Sequence, residues 1–277
     1  MNIIGQKNLR EKIDSYTKFP RFTILVGERG SGRKLMCRYI AEHIGAQCVF
    51  VGTGVDDIRQ MIHTANRADM KTLYVIADAD NMSAAAKNTL LKVTEESPNN
   101  AYIIMTVVSD LNTLATLRSR ATTLYMDSYT DSDLSIYYAE NYPNGTERDI
   151  FRYFASTPGD INAIAGRADE FYRYVREVVE NIGEVSDSNV FKIGAKLKLK
   201  ESDEGKYDLN LFWRAFKSET FYRSYTEEQI HNDGMSSKYL KCALCTAEYL
   251  KDLRITGINK SMALDMWIID IRRILWT

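Results

Sequence analysis

Phe22-Thr23-Ile24-Leu25-Val26, followed at once by Gly27-Glu28-Arg29-Gly30-Ser31-Gly32-Arg33-Lys34, decides how the chain is read. Five strand-forming residues without polar alternation describe a buried strand, and the glycines stop it. Leu35, Met36, Tyr39 and Ile40 then recur on one side of a helix. A glycine turn between strand and helix aims backbone N–H groups at an anion from the positive end of the helix, the physics of G-x-x-x-x-G-K-S/T loops. Gly27 and Gly32 keep that spacing, with Gly30 between them; the next two positions do not match. Arg33 stands where a lysine touches the β and γ phosphates, and Lys34 replaces the hydroxyl that holds Mg²⁺. A planar guanidinium is not a substitute for a compact ammonium, and a protonated lysine has no lone pair for a metal.

Outward from this loop, the pattern predicts further strands at 49–51, 73–76, 102–108 and 122–126, and helices at 55–68 and 83–96. Apolar strands alternating with helices indicate an α/β parallel sheet buried on both faces. The third strand ends in Ala77-Asp78-Ala79-Asp80. A phosphate loop needs a carboxylate there to assist Mg²⁺ and a second acid to place the attacking water. Ala77 takes the first place and Asp78, one methylene shorter than glutamate, the second. Three departures of this kind describe a nucleotide site that has lost, or nearly lost, turnover, with a working site of unusual ligands as the alternative, and leave Gly27, Gly30, Gly32, Arg33, Lys34 and Asp78 as its degenerate remnant.

Beyond Met126 the chain predicts mostly helices, with breaks at Pro143-Asn144-Gly145 and Pro158-Gly159-Asp160. Helices are expected at 169–182, 208–224, 236–253 and 259–276, with Lys198 to Lys206 a loop or short exposed hairpin. The expected division is 1–126, 127–168 and 169–277. Lys196-Leu197-Lys198-Leu199-Lys200 reads as a solvated face.

The 277 residues, 45% hydrophobic and 26% charged, form cores and exclude a disordered chain. A net charge of −1 excludes a polybasic coating protein. Up to Met126 there are 16 basic and 12 acidic residues, and after it 20 and 25, so basic surface belongs to the first part. No apolar run approaches the roughly 20 residues of a membrane helix, and residues 1–7 do not open a signal segment, so a cytoplasmic protein without a membrane partner is expected. Four scattered cysteines fit reduced thiols, and Cys242 and Cys245 sit in a helical pattern without a second ligand pair for zinc.

The segment Asp78 to Ser83, with Ala86-Lys87-Asn88-Thr89-Leu90-Leu91-Lys92-Val93-Thr94-Glu95-Glu96-Ser97-Pro98, closely resembles the AAA+ clamp-loader subunits, and most closely the bacterial DNA polymerase III delta-prime family. The ATP-binding subunits carry an Asp-Glu pair at the turn; Ala77-Asp78 resembles the depleted delta-prime version. Leu117-Arg118-Ser119-Arg120-Ala121 resembles the family's Ser-Arg-Cys motif with alanine third. The resemblance makes Arg120, with Ser119 beside it, a trans-acting arginine finger on ATP·Mg²⁺ of a neighbouring subunit; without it, Arg120 reads as a surface arginine in an ion pair.

Thr157-Pro158-Gly159-Asp160-Ile161-Asn162-Ala163 resembles the lid turn that carries a sensor arginine in active members; Asn162 and Ala163 stand there. Leu250 to Met266 resembles the collar signature, two helices flanking an Asn-containing turn. No four-cysteine zinc insert follows the loop helix, so no metal is expected. The resemblance thus implies a P-loop AAA+ domain, a small helical lid and a C-terminal helical collar. It implies a non-hydrolysing subunit acting in DNA replication with clamp-loader ATPase subunits, a sliding clamp and primed DNA. An active AAA+ ATPase, either a clamp-loader motor or a helicase loader, is the alternative, and a pure DNA-binding module a weaker one. Arg59, Arg67 and Lys71 are candidate DNA contacts or ordinary surface charge.

Overall fold

A computed structural model describes residues 3–95, 98, 100–146, 148–184, 193–199, 205–253 and 258–276. Two compact units divide the chain, the first made of 1–136 with 157–159 and the second of 137–156 with 160–277. The first unit opens with helix α1 (Lys7–Asp14) and alternates β1 (Phe22–Val26), α2 (Arg33–Ile44), β2 (Gln47–Val51), α3 (Val55–Ala65), β3 (Thr72–Ile76), α4 (Ala84–Glu95), β4 (Ala101–Val107), α5 (Ala115–Arg118) and β5 (Thr122–Tyr125). The strands are all parallel, in the order β2-β3-β4-β1-β5.

Alternation, hidden in the sequence by burial on both sides, governs the packing. Phe22, Ile24 and Val26 with Ile103, Met105 and Val107 face the layer of α3 and α4, where Ile58, Met61, Leu90 and Val93 are buried. Leu25, Leu73, Val75 and Ile104 face the other layer, with Leu9 and Ile13 of α1 and Met36 and Ile40 of α2. The expected strands are each present within two residues of their bounds. The helix expected to run to 68 stops at Ala65, where Asn66 and Arg67 continue as turn. The part of the 83–96 helix at Glu96, and Ser97 after it, lie outside the described residues.

In the second unit, α6 (Asp131–Asn141, beginning in the first), α7 (Arg148–Phe151) and α8 (Pro158–Ile164, also beginning in the first) precede α9 (Ala168–Asn181). Pro158-Gly159-Asp160 opens α8 instead of interrupting the helices, since proline's missing N–H costs nothing in a first turn. The chain then runs through β6 (Leu197–Lys198) and β7 (Tyr207–Asp208) to α10 (Leu209–Gln229), α11 (Asp233–Asp252) and α12 (Lys260–Trp276). The expected hairpin is corrected: β6 and β7 pair in parallel, Leu197 opposite Tyr207, with both side chains buried. Residues 200–204 of that stretch, including Lys200, lie outside the described residues. Phe171, Tyr207, Phe212, Trp213, Phe216 and Trp267 form an aromatic core, and the Trp267 indole donates to Thr246 Oγ1 at 3.0 Å. On α12, Leu264, Trp267, Ile268 and Ile271 are core, whereas Met266 and Trp276 are exposed.

Candidate functional site

In an open parallel sheet, ligands meet the carboxyl ends of the strands, and there the glycine loop and the acidic turn come together. Gly27 leaves β1 with its N–H on the Val107 carbonyl at 3.0 Å, and Gly32 takes φ +84 to start α2, a backbone state open to glycine without strain. Arg33 then points inward, 7% exposed, and its Nη2 donates to Asp78 Oδ1 at 2.6 Å. Burial pushes its guanidinium below the ordinary arginine range while Asp78 and Asp80 oppose that shift. Nη1 of the same group is buried with no hydrogen-bond partner among the described residues. Lys34 is exposed.

Asp78 sits at φ 53, its N–H donating to Thr106 Oγ1 at 3.0 Å, and Asp80 Oδ2 accepts from the Val108 N–H at 2.8 Å. Thr106 escapes the sequence reading; the signal was a lone hydroxyl in an otherwise apolar strand. The tip of the loop is covered as well. Gly159 donates its N–H to the Gly30 carbonyl at 3.1 Å, Thr157 Oγ1 donates to the Arg29 carbonyl at 3.3 Å, and the Tyr129 hydroxyl donates to the Ser31 carbonyl at 2.8 Å. A Cβ on Gly30 would lie 2.8 Å from the Gly159 Cα, so the two backbones touch. Arg33 and Asp78 are thus engaged with each other, and the loop tip with Tyr129, Thr157 and Gly159, a set that does not fit Mg·ATP.

Arg120 lies elsewhere. It precedes β5 by two residues, and β5 runs beside β1 with Thr122 opposite Thr23. Arg120 therefore emerges at the amino ends of the strands, separated from the glycine loop by the length of β1, roughly 16 Å at the rise of a strand. Its Nη2 donates to Glu95 Oε1 at 2.6 Å and its Nη1 to the Thr116 carbonyl at 2.8 Å. Ser119 is exposed, its hydroxyl on the same carbonyl at 3.1 Å.

The remaining candidates are dispersed. Asn162 Oδ1 accepts from the hydroxyls of Tyr137 and Tyr142, both at 2.9 Å. Asn259 caps α12 by accepting from the N–H groups of Ser261 and Met262, while residues 254–257 of the collar signature lie outside the described residues. Arg59 pairs with Asp56 at 3.0 Å, and Lys71 reaches the Ile44 carbonyl. Arg67 lines a groove of about 840 Å³ beside the edge strand β2, whose lining includes neither the glycine loop nor Asp78 nor Arg120. Cys242 and Cys245 lie on α11, where burial pushes their thiols up to about 12 and about 11. Among the described residues no helix is long and apolar enough to cross a membrane.

A family model described as DNA polymerase III, delta subunit, matches residues 51–130, which hold the acidic turn, Glu95 and Arg120. No curated protein matches the chain. Among solved structures, a DNA polymerase III gamma subunit-related protein of Thermotoga maritima is 15% identical with a TM-score of 0.47, covering 97% of this chain and 98% of that one. The RuvB Holliday junction branch migration motor of Thermotoga maritima is 16% identical with a TM-score of 0.48, covering 82% and 77%. A proline-to-glycine mutant of that motor is 14% identical with a TM-score of 0.50, covering 83% and 78%. The last likeness concerns fold alone: a parallel-sheet α/β core followed by a helical region, as in that RuvB structure. The similarity to that DNA polymerase III family is thus confined to residues 51–130, from the end of β2 to just past β5.

Proposed function

We propose that the chain is a non-hydrolysing, delta-prime-like subunit of a DNA polymerase sliding-clamp loader. In this reading residues 1–126 are the AAA+ domain, 127–168 the lid and 169–277 the collar that joins the ring of subunits. Its own nucleotide site is closed, and Arg120 serves ATP·Mg²⁺ held by a neighbouring ATPase subunit while the assembly opens a sliding clamp on primed DNA.

One observation carries the reading: Arg33 and Asp78 are spent on each other at the carboxyl ends of the strands, while Arg120 is presented at the opposite ends. An arginine so placed has no route to its own loop, and a guanidinium needs no nucleotide in its own chain to stabilise charge on a neighbour's γ-phosphoryl group. The exposed Met262, Met266, Ile269 and Trp276 of α12 supply apolar surface for the collar contact.

ATP hydrolysis by the isolated chain, and by its complex with clamp-loader ATPase subunits, tests the proposal. The expected result is no magnesium-dependent turnover by the chain alone, and turnover in the complex that Arg120→Ala removes. Turnover by the isolated chain overturns it.

A further inference from the structure

Arg120 is anchored from two elements. Glu95 at the end of α4 and the Thr116 carbonyl of α5 each take one N–H of the guanidinium, leaving three of its five donors. Both anchors are rigid, because Leu90 and Val93 bury α4 just before Glu95 and Leu117 is fully buried on α5. Glu95 lies in the last described turn of α4. Roughly a third of the Arg120 side chain, 36%, faces solvent.

We propose that Glu95 is a positioning residue for Arg120. It holds the guanidinium extended at the amino ends of the strands, with its remaining donors open to an anion outside the subunit. The proposal rests on the trans-finger reading above. A flexible arginine loses rotamer freedom when it meets phosphoryl oxygens, and one already ordered by Glu95 has less to lose, a factor of about two to ten in rate for one side chain. The gain belongs to the transition state, where charge on the transferring group is met by the finger, so it is expected in kcat and not in KM.

The test uses the full chain in complex with the clamp-loader ATPase subunits of its own organism, with ATP as the probe. Steady-state kcat and KM are measured for the unsubstituted complex, Glu95→Ala, Glu95→Gln, Arg120→Ala and the Glu95→Ala/Arg120→Ala double variant. Glu95→Ala is expected to lower kcat about two- to tenfold with KM unchanged. Glu95→Gln, whose amide oxygen still accepts from Nη2, is expected to recover most of the loss. In the Arg120→Ala background, Glu95→Ala is expected to change nothing further; a purely structural Glu95 would cost the same in both backgrounds. An unchanged or raised kcat in Glu95→Ala, with Arg120→Ala still crippling hydrolysis, overturns the positioning role alone. No loss in Arg120→Ala overturns the finger reading and this proposal with it.

Discussion

Arg33 and Asp78 form an ion pair of 2.6 Å across the mouth of the glycine loop, with the arginine almost wholly buried and the aspartate half exposed. The two residues stand where a phosphate loop and its acidic turn would meet the β and γ phosphates and their Mg²⁺. Here they pair with each other, and the buried Arg33 becomes part of the first unit's packing.

Asp78→Ala therefore acts on stability. It leaves a buried guanidinium without its carboxylate and with Nη1 already unpartnered. The cost is expected at about 1–3 kcal/mol, below that of breaking a fully buried pair because water reaches the aspartate. The midpoint of urea unfolding measures it, and a midpoint equal to that of the unsubstituted chain contradicts the closed-site account.

Arg120→Ala is expected to do the reverse. Stability of the isolated chain changes by no more than about 0.5 kcal/mol, as for an exposed side chain. ATP hydrolysis of the complex falls by about three orders of magnitude or more, the range known for arginine fingers. A loss of only a few-fold, measured in steady state, leaves Arg120 as an ordinary surface cation.

The sheet was legible in sequence because residues such as Ile24, Leu25 and Ile104 are buried on opposite faces of the same strands, so the runs are apolar throughout. The candidate site was legible only as residue types. That Arg33 is absorbed by Asp78, that Gly159 lies on Gly30, and that Glu95 holds Arg120 are contacts between distant segments, which local pattern does not encode. Helix α5 has four residues, too few for periodicity to register, and α1 was masked by its largely polar composition. The two-residue pairing of β6 with β7 has no turn signature, because parallel neighbours need no hairpin.

The Gly30 and Gly159 contact yields a packing prediction. A Cβ on Gly159 would lie 2.4 Å from the Gly30 Cα, against backbone that has nowhere to move. Gly159→Ala is expected to destabilise by about 1–3 kcal/mol, as overpacking does. Gly166→Ala is a useful comparison, since φ there is +81 but an added Cβ would meet nothing within 4 Å, so only the left-handed backbone is strained, at about 1–2 kcal/mol. Thermal unfolding of both variants decides whether contact adds to conformation: Gly159 is not in the left-handed region, and a neutral Gly159→Ala sinks the contact argument.

In the second unit, Glu219 of α10 is 3% exposed and accepts from the Tyr172 hydroxyl at 2.6 Å and from Arg223 Nε at 2.8 Å. Arg223 also reaches Glu180 at 2.7 Å. Glu219→Ala removes the shared acceptor and leaves a half-buried arginine and a tyrosine hydroxyl without it. A loss of about 3–5 kcal/mol is expected, read from chemical unfolding followed by near-ultraviolet circular dichroism of the aromatic core. A loss under about 1 kcal/mol, the size of a surface pair, contradicts the buried-network assignment.

Alkaline pH provides the last test. Burial raises the Cys242 thiol from 9.0 to about 12 and the Tyr172 and Tyr174 hydroxyls above their ordinary 10.0, Glu219 adding to the shift at Tyr172. A folded-state pKa above the unfolded value contributes stability that is fully present below the unfolded pKa and is lost as pH rises through the folded one. Stability should hold below about pH 9, decline first through Cys242 and then, above about pH 10, through the tyrosines. Urea midpoints from pH 7 to 11 measure the decline. The same burial dictates thiol chemistry, since the thiolate is the nucleophile. At pH 8.5, iodoacetamide should label half-buried Cys48 in the native chain, while Cys37 and Cys242, 0% and 1% exposed, react only as fast as the protein unfolds. Labelling of Cys242 at a rate independent of added urea would place that thiol outside the core assigned to it.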